Sequence, residues 1–248
     1  MDALDNNILN NQQTNQLKDN SQRAKIAGYI FLAIGIFSIV TALSSWFELD
    51  LLTRIKDGGN YTEEEASLSD VRQAALGIIT LALTIASVVT FLNWFRRAYG
   101  NMERAGVKNL SHEEKHVVYS FMIPIVSLYR PFQIAKEINE KTQRRIQQLR
   151  PDYEINSSSW LIIIWWTFYL ITNVIGQIVF RTALKADTVE QMITGSQVSI
   201  ISDLLTIPAA IATYYLIRDI AKKETVLLDL IHKENLKSIY TSSTDKSL

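Results

Sequence analysis

Four stretches of this chain are apolar almost without interruption, and polar residues crowd between them. The stretches are Ile26 to Trp46, Ala74 to Trp94, Trp160 to Phe180 and Val198 to Ile217. None holds an interior Lys or Arg, and only one carboxylate, Asp203, falls inside any of them. A hydrocarbon core about 30 Å thick takes about 20 mostly apolar residues of helix. Each run has that length. A buried helix of a soluble protein can be this apolar, but such helices rarely exceed about 20 residues. Four of them in one small chain argue against a soluble fold. The ends of the runs carry Trp46, Phe47, Trp94, Phe95, Tyr99, Trp160, Tyr214 and Tyr215, and aromatic rings favour the headgroup level. Trp165 and Trp166 lie deeper and are expected to pack between helices. Gly28, Ala33, Gly35, Ala82, Ala86 and Ser87 would let helices approach closely; lipid-facing filler is the alternative reading.

The polar segments predict further elements. Residues 47–73 form an acidic loop, broken at Gly58-Gly59-Asn60, with a short helix at Thr62–Ser69. A cation-attracting vestibule is the other reading of that acidity. In the long segment 95–159, Ser111-His112-Glu113-Glu114 reads as a capping box that starts a helix. The apolar stretch Val117 to Tyr129 is too short to span a bilayer as a helix, and Pro124 interrupts it. It is expected to lie in the interface or to dip in and return. Pro131 then suits the first position of a new helix. There Ile134, Ile138, Ile146 and Leu149 form a partial apolar stripe among Lys136, Lys141, Arg144, Arg145 and Arg150, as in an amphipathic surface helix. Leu227, Leu228, Ile231 and Ile239 give the tail a weaker pattern, so residues 219–240 are expected to extend the fourth helix. The predicted fold class is an all-α integral membrane protein. It has four transmembrane helices and a cytoplasmic interfacial or re-entrant helical hairpin between the second and third spans. The expected division is a polar tail without order (1–25), a four-span membrane domain (26–225) and a cytoplasmic helical tail (226–248).

Charge sets the orientation. Segments 1–25, 95–159 and 218–248 hold 20 of the 25 Lys and Arg residues. Basic residues stay cytoplasmic, so both termini and the long middle segment are expected inside. Arg96 and Arg97, and Arg218, Lys222 and Lys223, sit where anionic lipid would hold them. The formal net charge of zero over 248 residues, with 48% apolar residues and no Cys, excludes a disordered chain, a disulfide scaffold and a globally basic nucleic-acid binder. It also conceals a sum over compartments, with the excess of basic residues inside and of acidic residues outside. The Asn- and Gln-rich start shows no cleavage-type site ahead of an apolar core, so the first run reads as a retained anchor. Asn60-Tyr61-Thr62 and Asn156-Ser157-Ser158 match the glycosylation pattern, as chance readily allows.

Two constellations could carry chemistry. His112-Glu113-Glu114-Lys115-His116 is a literal H-E-x-x-H. On a helix, His112 and His116 would share a face and ligate zinc while Glu113 activates a water. No third ligand is evident nearby; Glu137, Glu140 and His232 are the candidates, and a solvated helix start is the alternative. The second constellation surrounds Asp203. Intramembrane charges usually face the bundle interior. Asn173 and Gln177 share a face of the third span, with Arg181 one turn further out, and the four could form one polar layer. Such a layer could bind a cation or relay a proton, or it could pin helix register through hydrogen bonds. There is no phosphate-binding Gly loop, no Gly-x-Ser-x-Gly and no Cys nucleophile, and no cofactor is implied.

The run Trp94-Phe95-Arg96-Arg97-Ala98-Tyr99-Gly100-Asn101 is followed by Phe121-Met122-Ile123-Pro124-Ile125-Val126-Ser127-Leu128-Tyr129-Arg130-Pro131-Phe132, and later by Ser202-Asp203-Leu204. Over about residues 26–225 this resembles a bacterial membrane family catalogued as domain of unknown function 4328. Members carry an aromatic–Arg-Ala-aromatic–x–Asn run and then a block with two prolines. Ser127 stands where Asn is usual, and Met122 where an aromatic is usual. The resemblance implies four spans, and marks Trp94, Arg97, Tyr99, Asn101, Pro124, Ser127, Pro131 and Asp203 as motif positions. It implies no reaction. The expected function is therefore non-enzymatic, a membrane component that assembles, senses or conducts. Its partners are the lipid bilayer and a second copy of the chain, with no nucleic acid; an ion or small-molecule ligand is left open. A membrane-bound zinc hydrolase using His112, Glu113 and His116 is the alternative.

Overall fold

The protein is represented by a computed structural model describing residues 17–244, with side chains described through Leu236. Of the tail expected to be without order (1–25), the part up to Gln16 lies outside the described residues, as does the Ile239 side chain, whereas the rest is ordered: Asn20 is buried and a helix already begins at Ser21. Among the described residues there is no strand. The helices are α1 (Ser21–Lys56), α2 (Glu63–Arg104), α3 (His116–Met122), α4 (Arg130–Leu149), α5 (Trp160–Ala183) and α6 (Val189–Thr244). A single 3-10 turn, Val126–Leu128, joins α3 to α4. Helices α1, α2, α5 and α6 are long and apolar enough to cross a membrane. Only 11% to 28% of each one's most apolar window is buried inside the protein. The outward residues include Ile36, Ile78, Leu81, Ile85 and Phe180, a surface suited to lipid and not to water.

The chain forms two compact units. One contains residues 27–89 and 163–216. In it α1 and α6 approach where side chains are smallest. A Cβ on Gly28 would lie 3.2 Å from the Tyr214 ring, and one on Gly35 would lie 3.3 Å from Ala210 Cβ. The close approach expected of these glycines is thus realised against α6.

The acidic loop is much shorter than expected. Helix α1 continues through Lys56, and α2 begins at Glu63 and runs on unbroken, so there is no separate helix at 62–69. Polar cross-ties make the extensions worthwhile. Arg72 Nε donates to Ser44 Oγ at 2.9 Å, while Gln73 Nε2 and Ser196 Oγ both donate to Glu48 Oε2 at 3.0 Å. Arg54 pairs with Asp50 and Glu65. Gly58, at φ +72°, supplies the left-handed residue that ends α1, and the Thr62 hydroxyl caps α2 by accepting from the Glu65 N–H at 3.0 Å.

The other unit contains the described residues up to Ile26, residues 90–162, and the chain from Ile217 onward. Phe91, Trp94, Phe95 and Phe121 gather with ring centroids 5.3 to 5.9 Å apart, joining α3 to α2. Ala105, Ile146 and Leu227 form a second apolar cluster from α2, α4 and α6. The stripe on α4 was expected to face a membrane surface. Instead Ile134, Ile138 and Ile146 are fully buried, because the protein itself covers that face. Pro131 lies in the first turn of α4, one place later than expected.

The capping box does not form. Residues 111–115 are bends and turns, and α3 starts only at His116, without a side-chain cap. Both residues of the box are engaged elsewhere. Ser111 donates to Glu137 through its N–H and its hydroxyl, and Glu114 pairs with Arg96 and Arg104. At the other end of the chain, the fourth helix continues without a break past the expected limit of the span, as the tail pattern predicts.

Candidate functional site

The densest polar organisation lies in the unit built from both ends of the chain and its middle. It begins with Asn101 on α2. Its Nδ2 donates to the Lys18 carbonyl at 2.9 Å and to Glu224 Oε1 at 2.9 Å, and its Oδ1 accepts from the Lys18 N–H at 3.2 Å. Asn20, just ahead of α1, donates to Glu224 Oε2 at 3.0 Å and to the Trp94 carbonyl at 3.1 Å. Each oxygen of Glu224 thus receives an amide proton, and the carboxylate is buried. Burial pushes its pKa up to about 7, while Asn101 and Asn20 pull the other way. The knot ties the chain before α1 to α2 and α6.

A second network centres on Glu137 of α4. Tyr99 Oη donates to Glu137 Oε2 at 2.9 Å and accepts from the His112 N–H at 2.9 Å. Ser111 and Lys141 converge on Glu137 Oε1 at 2.6 to 3.0 Å. Burial opposes the Glu137 charge. Lys141, Ser111 and Tyr99 outweigh it, so its pKa falls below the usual value. Burial and the hydrogen bond to Glu137 both hold the Tyr99 phenol well above its usual pKa. Lys141 also reaches the carbonyl of Asn109, a residue in the left-handed region at φ 59°.

Third, four guanidinium groups gather along α2 and the start of α1. The charges of Arg23, Arg104 and Arg96 all act on Arg97, and that of Glu114 acts in the opposite sense. The Glu114 carboxylate lies directly against Gly100, where an added Cβ would collide with its Oε2. Glycine is what lets it pass so close to the helix backbone.

Of the family-motif positions, Trp94, Tyr99 and Asn101 enter this buried polar core, and Arg97 stands in the guanidinium cluster. Pro124 and Ser127 instead form an exposed turn, where the Ser127 hydroxyl donates to the Pro124 carbonyl at 2.8 Å. Sequence reasoning missed Asn20 and Glu224. Both are ordinary polar residues in polar surroundings, and no local pattern distinguishes them.

The intramembrane candidates are distributed over the other unit. Asn173, Gln177 and Arg181 line one outward face of α5, together with Thr172, Gly176 and Phe180. Asn173 Nδ2 donates to the Tyr169 carbonyl at 2.7 Å. Asp203 lies beside the Thr41 side chain of α1. The zinc candidate loses its helical premise. His112 lies in a bend outside α3, which begins at His116, so the two histidines are not one turn apart on a helix. Glu113 pairs with Lys115 at 2.7 Å. Among the described residues, no three His, Asp or Glu side chains are grouped to hold a metal.

The family model described as Domain of unknown function (DUF4328) matches residues 57–222. No curated protein and no solved structure matches the chain.

Proposed function

The chain belongs to that family, and from this premise we propose that it is a non-enzymatic component of the bacterial inner membrane that assembles with copies of itself. The observation that carries this reading is the polar face of α5. Asn173 and Gln177 stand about 15 and 9 Å from the end of α5, at a rise of about 1.5 Å per residue, inside a candidate span that closes at Ala183. Both are exposed. Among the described residues, the Gln177 side chain makes no hydrogen bond and Arg181 makes no ion pair. Hydrocarbon satisfies neither the Gln177 amide nor the groups of Asn173 that its bond to Tyr169 leaves over. An amide both donates and accepts, so the same face on a second copy is complementary to it, as two-fold pairing requires. Gly176 lies between them, and a Cβ there would meet nothing within 4 Å, which leaves room for a close helix approach.

The proposal includes orientation and a membrane-surface contact. Both termini face the cytoplasm, following the basic segments. The α3–α4 connection lies at the interface. Its support is that Met122 and Ile125 are 68% and 76% exposed, next to exposed Tyr119, Ile123, Leu128 and Tyr129. Water is a poor solvent for that patch, and the headgroup boundary is a good one.

The test uses the Cys-free chain. Gln177→Cys should form a disulfide-linked dimer in native membranes under mild oxidation, while Ile78→Cys, on the exposed face of α2, should not. The Asn173→Leu, Gln177→Leu double variant should weaken self-association about ten-fold, since each lost interhelical bond is worth about 0.6 kcal/mol and the symmetric pair loses several. Equal cross-linking at both positions, or none at Gln177→Cys, rejects assembly through α5.

A further inference from the structure

The guanidinium cluster is not used by the assembly reading, and it is unbalanced. Arg23 reaches the carbonyl of Asn93, one helical turn before Arg97 on α2, and the charges of Arg23, Arg104 and Arg96 all act on Arg97. Glu114 is already shared, at 2.6 Å from Arg104 Nη2 and 3.4 Å from Arg96 Nε. Arg23 spends one donor on the Asn93 carbonyl at 3.3 Å. Glu224 also acts on Arg97, but both its oxygens are taken by Asn101 and Asn20. Among the described residues, the Arg97 side chain makes no hydrogen bond and no ion pair. Arg104 Nη1 is buried without a hydrogen-bond partner. Like charges packed this closely repel, and a half-buried guanidinium without an acceptor gives up hydration for nothing in return.

An anion would correct both faults. Its shape is indicated by the donors, because planar guanidinium forks match the oxygens of a phosphate. Its source is indicated by the sequence. Arg96 and Arg97 directly follow the apolar run that ends at Trp94, and Arg23 precedes the one that starts at Ile26. Those positions lie at headgroup depth on the expected cytoplasmic side, where anionic lipid is concentrated.

We propose that Arg97, supported by Arg23, Arg96 and Arg104, holds a phosphate group at the cytoplasmic membrane surface, supplied by an anionic phospholipid headgroup or by free phosphate. Arg97 is the central donor because its side chain alone in the cluster has no hydrogen bond or ion pair at any of its nitrogens. Arg96 and Arg104 already engage Glu114, which leaves the Arg97 charge in excess. The site is independent of the α5 interface.

The test follows the melting midpoint of the full chain in neutral detergent during titration with short-chain phosphatidylglycerol, short-chain phosphatidylcholine or inorganic phosphate at matched ionic strength. A ligand that binds only the folded state raises that midpoint. Phosphatidylglycerol should raise it, and Arg97→Gln should lower the apparent affinity at least ten-fold. Arg144→Gln, which removes an exposed charge on α4, should leave it unchanged. Stabilisation by phosphatidylglycerol and not by inorganic phosphate assigns the lipid headgroup; stabilisation by inorganic phosphate assigns the free anion. Arg23→Gln tests the same cluster if Arg97→Gln does not fold, with a several-fold loss expected. The proposal is overturned if neither anion stabilises the protein. It is also overturned if phosphatidylcholine does so equally, if the folded Arg97 variant (or Arg23→Gln in its place) responds like the native chain, or if Arg144→Gln weakens binding as much.

Discussion

Two carboxylates in one unit are driven in opposite directions by their surroundings. Burial pushes Glu224 up to about 7, against the pull of Asn101 and Asn20. The folded chain therefore binds this proton more tightly than the unfolded chain. The resulting stability is present at low pH and is lost as pH rises through the raised value. Glu137 is buried too, but Lys141, Ser111 and Tyr99 hold it below its usual value; its contribution is present at neutral pH and is lost on acidification. Glu224→Gln should remove the first dependence. Its melting midpoint should gain on the native chain between about pH 5 and about pH 8, the window set by the raised pKa. Parallel profiles for the two proteins would show that Glu224 keeps its charge throughout. Asp203 presents a different case. It lies beside Thr41 within the bundle, a pairing suited to fixing helix register. Asp203→Asn is expected to leave proton and ion flux into liposomes at the level of the native protein. A changed flux would make the chain a conductor.

At the scale of elements, α4 shows how an amphipathic pattern leaves its partner open. Its spacing of isoleucines correctly marks the face to be buried, but membrane and protein both cover apolar faces, and only packing decides between them. Gln143 sharpens the point. It is 1% exposed, and no hydrophobic pattern would select it. Its amide donates to the Asn156 carbonyl at 3.1 Å and accepts from the Asn156 N–H at 2.8 Å, holding the connection to α5 against the helix. Gln143→Leu leaves that N–H unpaired, at a cost of about 1 to 3 kcal/mol. Hydrogen exchange should then accelerate in residues 153–158 and stay unchanged in α2; equal protection in both proteins would remove the clamp from the account. The missing capping box has a similar lesson. Ser111 and Glu114 have the right spacing, but distant charged partners offer stronger hydrogen bonds than a helix end does.

For the whole molecule, the four-span reading makes a sidedness prediction that the Cys-free chain allows without background labelling. Ser67→Cys and Glu113→Cys, both exposed, should react with a membrane-impermeant thiol reagent from opposite sides of the membrane. Reaction from the same side would refute the topology. The apolar runs were legible because a bilayer acts as a uniform solvent. It reads length and composition, and both are local properties of the chain. Helix type, the close-packed glycines of α1 and the basic segments were legible for the same reason. The polar core was not. Asn101 meets Lys18 across 83 positions and Glu224 across 123, and Asn20 meets Glu224 across 204. Hydrogen bonds are short and directional, so they depend on where the helices bring distant residues and not on the residues beside them. By itself the sequence determined that this chain has four membrane-length helices and an uneven distribution of charge. Only the tertiary structure decided which polar groups would be buried together, which face of α4 the protein would cover, and that Arg97 would stand among like charges without a partner of its own.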